Sequence, residues 1–353
     1  MCPSLPSPAS QYRCNFAMGQ ILLNLSVCLL SFITVATSTP TITVTTGFIP
    51  FSHEGSQYQT WYAAYFPSET IRQDSPLIAL HDGPGFTHEY LDAIRNLASN
   101  RTVILYDQFG NGNSTHLDAQ TANDTVWSIG LYLCELENVI DYFEFETFNL
   151  LGHGWGGVMG AEYAVLRPEK LRKLVLSNSF GAMYLWENSQ KKLLSDEGFP
   201  QDVQDAMAVG FGDPVRYRPA LEIYYNSHGC ILHPWPASLN ASFDALFSDP
   251  TVGIKMCGSL LSPNCASRGT DNGCCRFVRD PVLANWTIVD RLKNITVPTL
   301  VINGARDTAQ SFVVKPFMDN IPNVTHFTFE NSSHTPMWEE QVLYVSVVTD
   351  FLA

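Results

Sequence analysis

The fold of this chain is decided by one stretch, Leu150-Leu151-Gly152-His153-Gly154-Trp155-Gly156-Gly157. An apolar run enters a glycine-rich turn, and a helical pattern continues from Gly157 to Leu166. A strand, a sharp turn and a helix with the spacing G-x-S-x-G form the elbow that presents a serine nucleophile. Glycine occupies position 154, where that pattern has serine. The stretch therefore predicts the backbone of the elbow without its hydroxyl, and a plain strand-to-helix turn would look the same.

The segments on either side of the elbow alternate between strand and helix patterns. Residues 41–66 alternate apolar and polar positions, which predicts antiparallel strands. Short apolar runs that predict buried strands then alternate with helical patterns, the first of which covers Thr125 to Phe143. The predicted buried strands are 76–80, 101–107, 148–151, 171–176, 297–302 and 324–329. We expect an α/β fold with a mostly parallel central sheet and helices on both faces.

This alternation stops between residues 186 and 286, where short helical patterns mix with proline and aromatic residues. We interpret residues 186–286 as an inserted, mainly helical cap. The predicted domains are a leader at 1–40, a first part of the core at 41–185, the cap, and a second part of the core at 287–353. The cysteine-rich stretch 251–281 is either a genuine insertion with a local disulfide or retained intron sequence.

An apolar run at residues 21–36, followed by small residues, gives the N-terminus the length of a signal-peptide core. It is short for a membrane span, so we expect a membrane partner only if the leader is retained. Eight N-x-S/T sequons after the leader agree with secretion and glycosylation. An uncleaved anchor, and a cytoplasmic protein with a mis-annotated leader, remain as alternatives.

The composition excludes several classes of partner. A formal net charge of −14 disfavours nucleic acid, which needs a basic face. The crowded cysteines Cys257, Cys265, Cys274 and Cys275 do not form two C-x-x-C pairs, which disfavours zinc. We expect no cofactor and no metal, and a small molecule or short peptide as substrate or ligand.

Five motifs in order resemble the proline iminopeptidase branch of the α/β-hydrolases, from about residue 45 to the C-terminus. They are HDGPG at 81–85, YDQFGNGNS at 106–114, LLGHGWGGVMGAEYA at 150–164, VINGARD at 301–307 and ENSSHTPMWEE at 330–340. The resemblance implies an α/β-hydrolase core under a helical cap. It also implies an ancestral cleavage of an N-terminal residue or an amide from a small substrate.

The resemblance assigns roles to the site residues. Asp307 matches the acid that orients an imidazole, and His334 matches the general base. The oxyanion hole would be formed by the backbone N–H groups of Trp155 and Gly83. Asp82 departs from the H-G-G-P-G pattern of the family, and its carboxylate would oppose an oxyanion unless the side chain points away.

Two carboxylates that hold a substrate amine in the family are missing at their expected places. Pro219 stands at one, and the segment N-G-P-x-E-F is absent. Glu187 and Glu222 are other cap carboxylates, for which surface roles on helices are expected. The substrate-binding residues are therefore not identified from the sequence.

Three functional hypotheses follow. The first is a proline iminopeptidase-like protein acting on N-terminal aminoacyl or small amide substrates, impaired in covalent hydrolysis because Gly154 replaces serine. The second is a non-hydrolytic tailoring enzyme of secondary metabolism that uses His334 and the oxyanion-hole N–H groups. The third is a pseudoenzyme that binds a small molecule. A fully working aminopeptidase or amidase would require a different alignment at the elbow or a different gene model.

Overall fold

The computed structural model describes residues 42–67, 74–117, 126–258 and 281–353. Their strands form one eight-stranded sheet in the order β1-β2-β4-β3-β5-β6-β7-β8. The strands are β1 Thr43–His53, β2 Ser56–Phe66, β3 Asp74–Leu80, β4 Arg101–Tyr106, β5 Phe148–His153, β6 Leu171–Ser177, β7 Thr299–Gly304 and β8 Val324–Phe329.

The pairing directions follow the sequence patterns. β1 and β2 form an antiparallel pair, and β2 joins β4 antiparallel. From β4 through β8 every pairing is parallel. Because parallel strands are joined by crossovers that cover both faces, the central strands β4, β5 and β7 are buried along their whole length, whereas the edge strand β8 is partly exposed. The predicted fold class, a mostly parallel α/β sheet with flanking helices, is confirmed.

The helices are α1 Ile129–Tyr142, α2 Trp155–Ala164, α3 Met183–Asp196, α4 Gln201–Val209, α5 Pro214–His228, α6 Ala237–Ser248, α7 Thr251–Cys257, α8 Ser311–Asn320, α9 Pro336–Glu339 and α10 Gln341–Leu352. A 3-10 helix also spans His88–Ser99. Within the described ranges, none of the helices has the length and apolar character needed to cross a membrane.

Neighbouring residues of one strand pack into two different cores. Ile78 points into a core that includes residues of α1, α2 and α8. Leu77 and Ala79 point into the other core, which includes residues of the 3-10 helix, of α10 and of the helices between β6 and β7. Successive residues of β3 therefore face opposite sides of the sheet, and both sides are covered by helices.

The helical segment between β6 and β7 contains α3 to α7. Helix α3 begins at Met183, three residues before the predicted cap. Residues 259–280 lie outside the described residues, and so does the leader 1–40. The limits of the cap, the insertion at 251–281 and a disulfide among its cysteines therefore stay predictions.

Candidate active site

The elbow lies between β5 and α2, where Gly154 is the residue before the first turn of the helix. Its backbone has φ 52° and ψ −115°, a conformation that side chains other than glycine's adopt rarely. Its N–H donates to the carbonyl of Ser177 at the end of β6. Glycine at 156 allows the helix to approach β3, since a Cβ there would lie 2.1 Å from the Leu80 carbonyl oxygen. The helix begins two residues earlier than the sequence pattern predicts.

Asp307 and His334 meet in the loops that follow β7 and β8. His334 Nδ1 lies 2.8 Å from Asp307 Oδ1, and both residues are buried. The side-chain amide of Asn178 donates to Asp307 Oδ2 at 2.7 Å. The acid is therefore held on both oxygens, and the imidazole is fixed with its Nε2 edge turned towards Asp82.

Asp82 lies on that Nε2 edge, directly above Gly154. Its Oδ2 accepts a hydrogen bond from His334 Nε2 at 2.9 Å, and its Oδ1 accepts one from the Trp155 backbone N–H at 2.7 Å. A Cβ built on Gly154 would lie 1.8 Å from Oδ1 and 2.2 Å from the carboxyl carbon. The carboxylate therefore fills the space that a side chain at position 154 would occupy.

The charges of the three groups support one another. Burial opposes the positive charge on His334, but the neighbouring carboxylates Asp307 and Asp82 raise its pKa to about 10. Burial likewise opposes the negative charge on Asp82, but its contacts with His334 leave the pKa of Asp82 below its ordinary value. At neutral pH the site therefore contains an imidazolium between two carboxylates.

The two predicted oxyanion donors both lie beside this carboxylate. The Trp155 N–H is already engaged, since it donates to Asp82. Gly83 follows Asp82 in a left-handed conformation, with φ 127°, and lines the same cavity. The side chain of Asp82 thus points into the site, which is the direction that opposes an oxyanion.

His153 and Tyr90 hold the other side of the site, and the sequence had not indicated either role. His153 Nε2 lies 2.7 Å from the His334 carbonyl oxygen and Nδ1 lies 2.9 Å from the Tyr90 hydroxyl. Burial and the charge of His334 lower the pKa of His153 to about 4, so the ring is neutral. Nε2 therefore donates to the carbonyl, and Nδ1 accepts from Tyr90. Tyr90 in turn accepts from the Asp82 backbone N–H.

Two groups of described side chains have ligand atoms close enough for a metal ion. They are Asp82 with His153 and His334, and His88 with Glu89 and Asp107. In the first group the Nε2 that would bind a metal carries a proton donated to Asp82. In the second, His88 Nδ1 is paired with Asp107 at 2.8 Å. The expectation of no metal and no cofactor stays a prediction.

A small cavity of about 80 Å³ opens above the carboxylate and the imidazolium. Its walls are mostly apolar, with several aromatic side chains, and they come from loops of the core and from the helical segment. They include Phe86, Phe180, Trp186, Phe211, Tyr217 and Tyr225. Asp82 is the sole carboxylate among the described residues that line it.

The cap carboxylates considered from the sequence do not line this cavity. Glu187 is paired with Lys191 one helical turn along α3. Glu222 of α5 is paired with Arg218 of the same helix. Pro219 lies inside α5. These contacts give both carboxylates helix-surface roles.

The same fold occurs in known proteins. Residues 75–341 match the family described as alpha/beta hydrolase fold. The chain belongs to the alpha/beta hydrolase fold family. This accounts for the order of the sheet, for the elbow after β5, and for the acid and the histidine after β7 and β8.

Within this family, the chain is similar to proline iminopeptidases. A proline iminopeptidase of Lactobacillus delbrueckii subsp. bulgaricus is 29% identical over 314 residues, covering 88% of this chain and 98% of the relative. A proline iminopeptidase of Clostridioides difficile (strain 630) is 29% identical over 315 residues, with the same coverage.

Two solved structures are also similar to this chain. Proline iminopeptidase of Mycobacterium smegmatis is 32% identical, with a TM-score of 0.70 over 87% of this chain and 97% of that one. VinJ is 32% identical, with a TM-score of 0.72 over 87% of this chain and 98% of that one. This chain is a proline iminopeptidase-like α/β hydrolase.

Proposed function

We propose that this protein is an enzyme of its family in which the Asp82 carboxylate has taken the place of a serine hydroxyl beside His334. In this proposal Gly154 stands where the serine of the G-x-S-x-G pattern would stand. The observation that carries it is the 1.8 Å between Asp82 Oδ1 and a Cβ built on Gly154. Serine at 154 and aspartate at 82, in its present orientation, exclude each other sterically.

The two departures from the family pattern compensate each other. Asp82 adds a carboxylate where H-G-G-P-G has glycine, and Gly154 removes the side chain that would collide with it. A protein that had only lost its nucleophile would leave His334 Nε2 without a partner. Here Nε2 donates to Asp82, and the contact with Asp307 is kept. This paired exchange favours an active site over a pseudoenzyme.

The protonation state argues against an acyl-enzyme on serine. A general base must be neutral to accept the proton of a serine hydroxyl. His334 is an imidazolium at neutral pH, because its pKa is raised to about 10. The reactive group is therefore the Asp82 anion, and His334 is its proton-bearing partner.

The walls of the cavity favour a neutral, apolar substrate. A substrate with a free N-terminal amine needs a carboxylate to balance its charge in a buried site. Among the described lining residues Asp82 alone has one, and it is already paired with His334. A small neutral molecule of secondary metabolism fits these walls better than an aminoacyl peptide.

The test is an exchange of the two positions. The double variant Asp82→Gly/Gly154→Ser should become labelled by a fluorophosphonate probe, since it recreates a serine beside His334 with Asp307 behind it. The wild-type protein and Gly154→Ser alone should not be labelled. A triple variant that also carries His334→Ala is the control and should lose the label.

Two outcomes would contradict this proposal. Labelling of the wild-type protein on a serine would show an activated hydroxyl that the proposal denies. A folded double variant that resists the probe would show that position 154 is not the place of a nucleophile. Circular dichroism establishes folding in each case.

We also propose export through the secretory pathway and glycosylation. The support is the leader pattern together with sequons whose asparagines are exposed in the described structure, namely Asn113, Asn240, Asn285, Asn323 and Asn331. Expression in a eukaryotic host should give a protein that loses mass on treatment with peptide N-glycosidase F. A mass unchanged by the enzyme would contradict glycosylation.

A further inference from the structure

We propose that Asp82 is a carboxylate nucleophile that opens a small neutral epoxide, and that the resulting ester is hydrolysed to a diol. The inference rests on the proposed function, since it requires Asp82 to be the reactive group. It adds the substrate class and the covalent step. Three features support it: the contacts of Asp82, the charge of His334 and the free phenol of Tyr225.

The contacts of Asp82 select the kind of carbon that it can attack. Attack on an amide would create an oxyanion on the substrate, and the Trp155 N–H that should bind it is held by Asp82 Oδ1 at 2.7 Å. Attack on a saturated carbon creates no oxyanion at an acyl centre. The occupied N–H group is therefore no obstacle to alkylation of the carboxylate.

The same N–H group serves the second step. Once one oxygen of Asp82 carries the alkyl group, water must attack the carboxyl carbon of the ester. The tetrahedral intermediate then has its oxyanion on the Asp82 carboxyl group, next to the Trp155 N–H. In the second step the oxyanion hole therefore stabilises a tetrahedral intermediate that forms on the protein's own ester, at Asp82.

His334 becomes a base only after the ester has formed. In the free enzyme two carboxylates hold its proton. Alkylation removes the charge of Asp82, so one of the two carboxylates that raise the pKa of His334 is lost. The imidazole then releases its proton and can accept one from the attacking water. Asp307 keeps the ring oriented through Nδ1 at 2.8 Å.

Tyr225 supplies the proton that an opening epoxide needs. Its ring packs against Phe86, Trp235 and Phe243, and it lines the cavity with Asp82. No described residue hydrogen-bonds its hydroxyl. Burial first, and then the charge of Asp82, raise the pKa of this phenol, so the group stays protonated.

The atoms balance over one cycle. A carboxylate oxygen of Asp82 bonds to an epoxide carbon, the C–O bond of the ring breaks, and the freed oxygen takes the proton of Tyr225. The tyrosinate recovers a proton from solvent as His334 gives one up. Water then loses a proton to His334 and bonds to the carboxyl carbon, and the ester C–O bond on the carboxyl side breaks. The released alkoxide takes the proton of the new carboxyl group, which leaves the diol, the Asp82 anion and protonated His334.

The first test traps the ester. His334→Gln keeps a donor for Asp82 but lacks a base for water, so with styrene oxide it should gain the mass of one epoxide, located on Asp82 by peptide mapping. The control Asp82→Asn should gain none. An adduct on another residue, or no adduct in the folded variant, would overturn the proposal.

The second test uses the wild-type protein and does not depend on any variant folding. In a single turnover of styrene oxide in water enriched in oxygen-18, one heavy oxygen should enter Asp82, because water attacks its carboxyl carbon. Heavy oxygen found only in the diol would show direct attack by water on the epoxide and would refute the covalent step. Absence of any diol would refute the epoxide as the substrate class. Both outcomes leave the serine exchange experiment unaffected, so failure of this inference is distinguishable from failure of the proposed function.

Tyr225→Phe separates proton donation from packing. The variant should alkylate Asp82 with styrene oxide more slowly by about a hundredfold. With 1-bromohexane its rate should be unchanged, since bromide leaves without a proton. An equal loss with both reagents would show that Tyr225 only shapes the cavity.

Discussion

Gly154→Ser is the substitution that most directly probes the packing of the site. A Cβ at this position would lie 1.8 Å from Asp82 Oδ1, 2.2 Å from the carboxyl carbon and 2.6 Å from Oδ2. Because all three distances are shorter than a van der Waals contact, the carboxylate must move. Its movement breaks the hydrogen bonds from the Trp155 N–H and from His334.

The cost follows from these contacts. Each of the two hydrogen bonds involves a charged group and contributes about 1.5 to 3 kcal/mol, so their loss costs roughly 3 to 6 kcal/mol. A non-glycine residue at φ 52° adds about 1 kcal/mol or more. We expect the free energy of unfolding to fall by roughly 4 kcal/mol or more, a large part of a typical total of about 5–15 kcal/mol.

The double variant with Asp82→Gly should recover most of this loss. Removing the carboxylate leaves only the backbone strain and the cost of His334 losing one partner. The two substitutions should therefore be non-additive by about 3 kcal/mol, in the direction that makes the pair less harmful than the sum. Urea denaturation followed by circular dichroism, for the wild type, both single variants and the double variant, measures this coupling.

Gly198→Ser is the matched control. Gly198 also has a positive φ, 69°, but a Cβ there would meet nothing within 4 Å. It should therefore report the backbone cost alone, about 1 kcal/mol. If Gly154→Ser were no more destabilising than Gly198→Ser, or if the effects of the two site substitutions simply added, the steric argument would be refuted.

Two further predictions concern titration of buried groups. The pKa of His334 is raised to about 10, so its contribution to stability is complete below its unfolded value of about 6.5 and is lost as the pH rises towards 10. Nitrogen-15 NMR of the ring should show the imidazolium at pH 8 and a lower pKa in Asp82→Asn. A neutral ring at pH 7 in the wild type would refute the ion triad. The pKa of Glu135 is raised by burial to about 7, so the folded state binds its proton more tightly and stability should fall by roughly 3 kcal/mol between pH 4.5 and 7. Urea denaturation should show that Glu135→Gln lacks this decline, and an identical decline in the variant would assign it to another group.

The strands of the sheet, though not their order, could be largely predicted from the sequence because each strand carries its own local pattern. The antiparallel strands alternate apolar and polar residues, and most of the parallel strands contain a short apolar run. The elbow could be located because the close approach of α2 to β3 requires glycine at fixed spacings, as Gly156 against the Leu80 carbonyl shows. The predicted helix ends were less accurate, since α2 begins at Trp155 and not at Gly157.

The positions of Asp307 and His334 in the site could also be predicted from the sequence. Each follows a predicted strand in the chain order of the motif, and parallel strands bring their carboxyl ends to one edge of the sheet. Their distance of 2.8 Å agrees with that reasoning. Tyr90 and Tyr225 gave no comparable signal, because a lone tyrosine in a helical pattern is most often a packing residue.

The amino-acid sequence by itself determined that Gly154 has no side chain and that residue 82 is an aspartate. Only the tertiary structure decided that the Asp82 carboxylate lies in the space that a side chain at position 154 would occupy. Asp82 lies 252 residues from the histidine that it contacts, and the direction of its carboxylate depends on which donors the folded chain offers. The Trp155 N–H and the charged edge of His334 stabilise the anion there, a property that neither loop has alone.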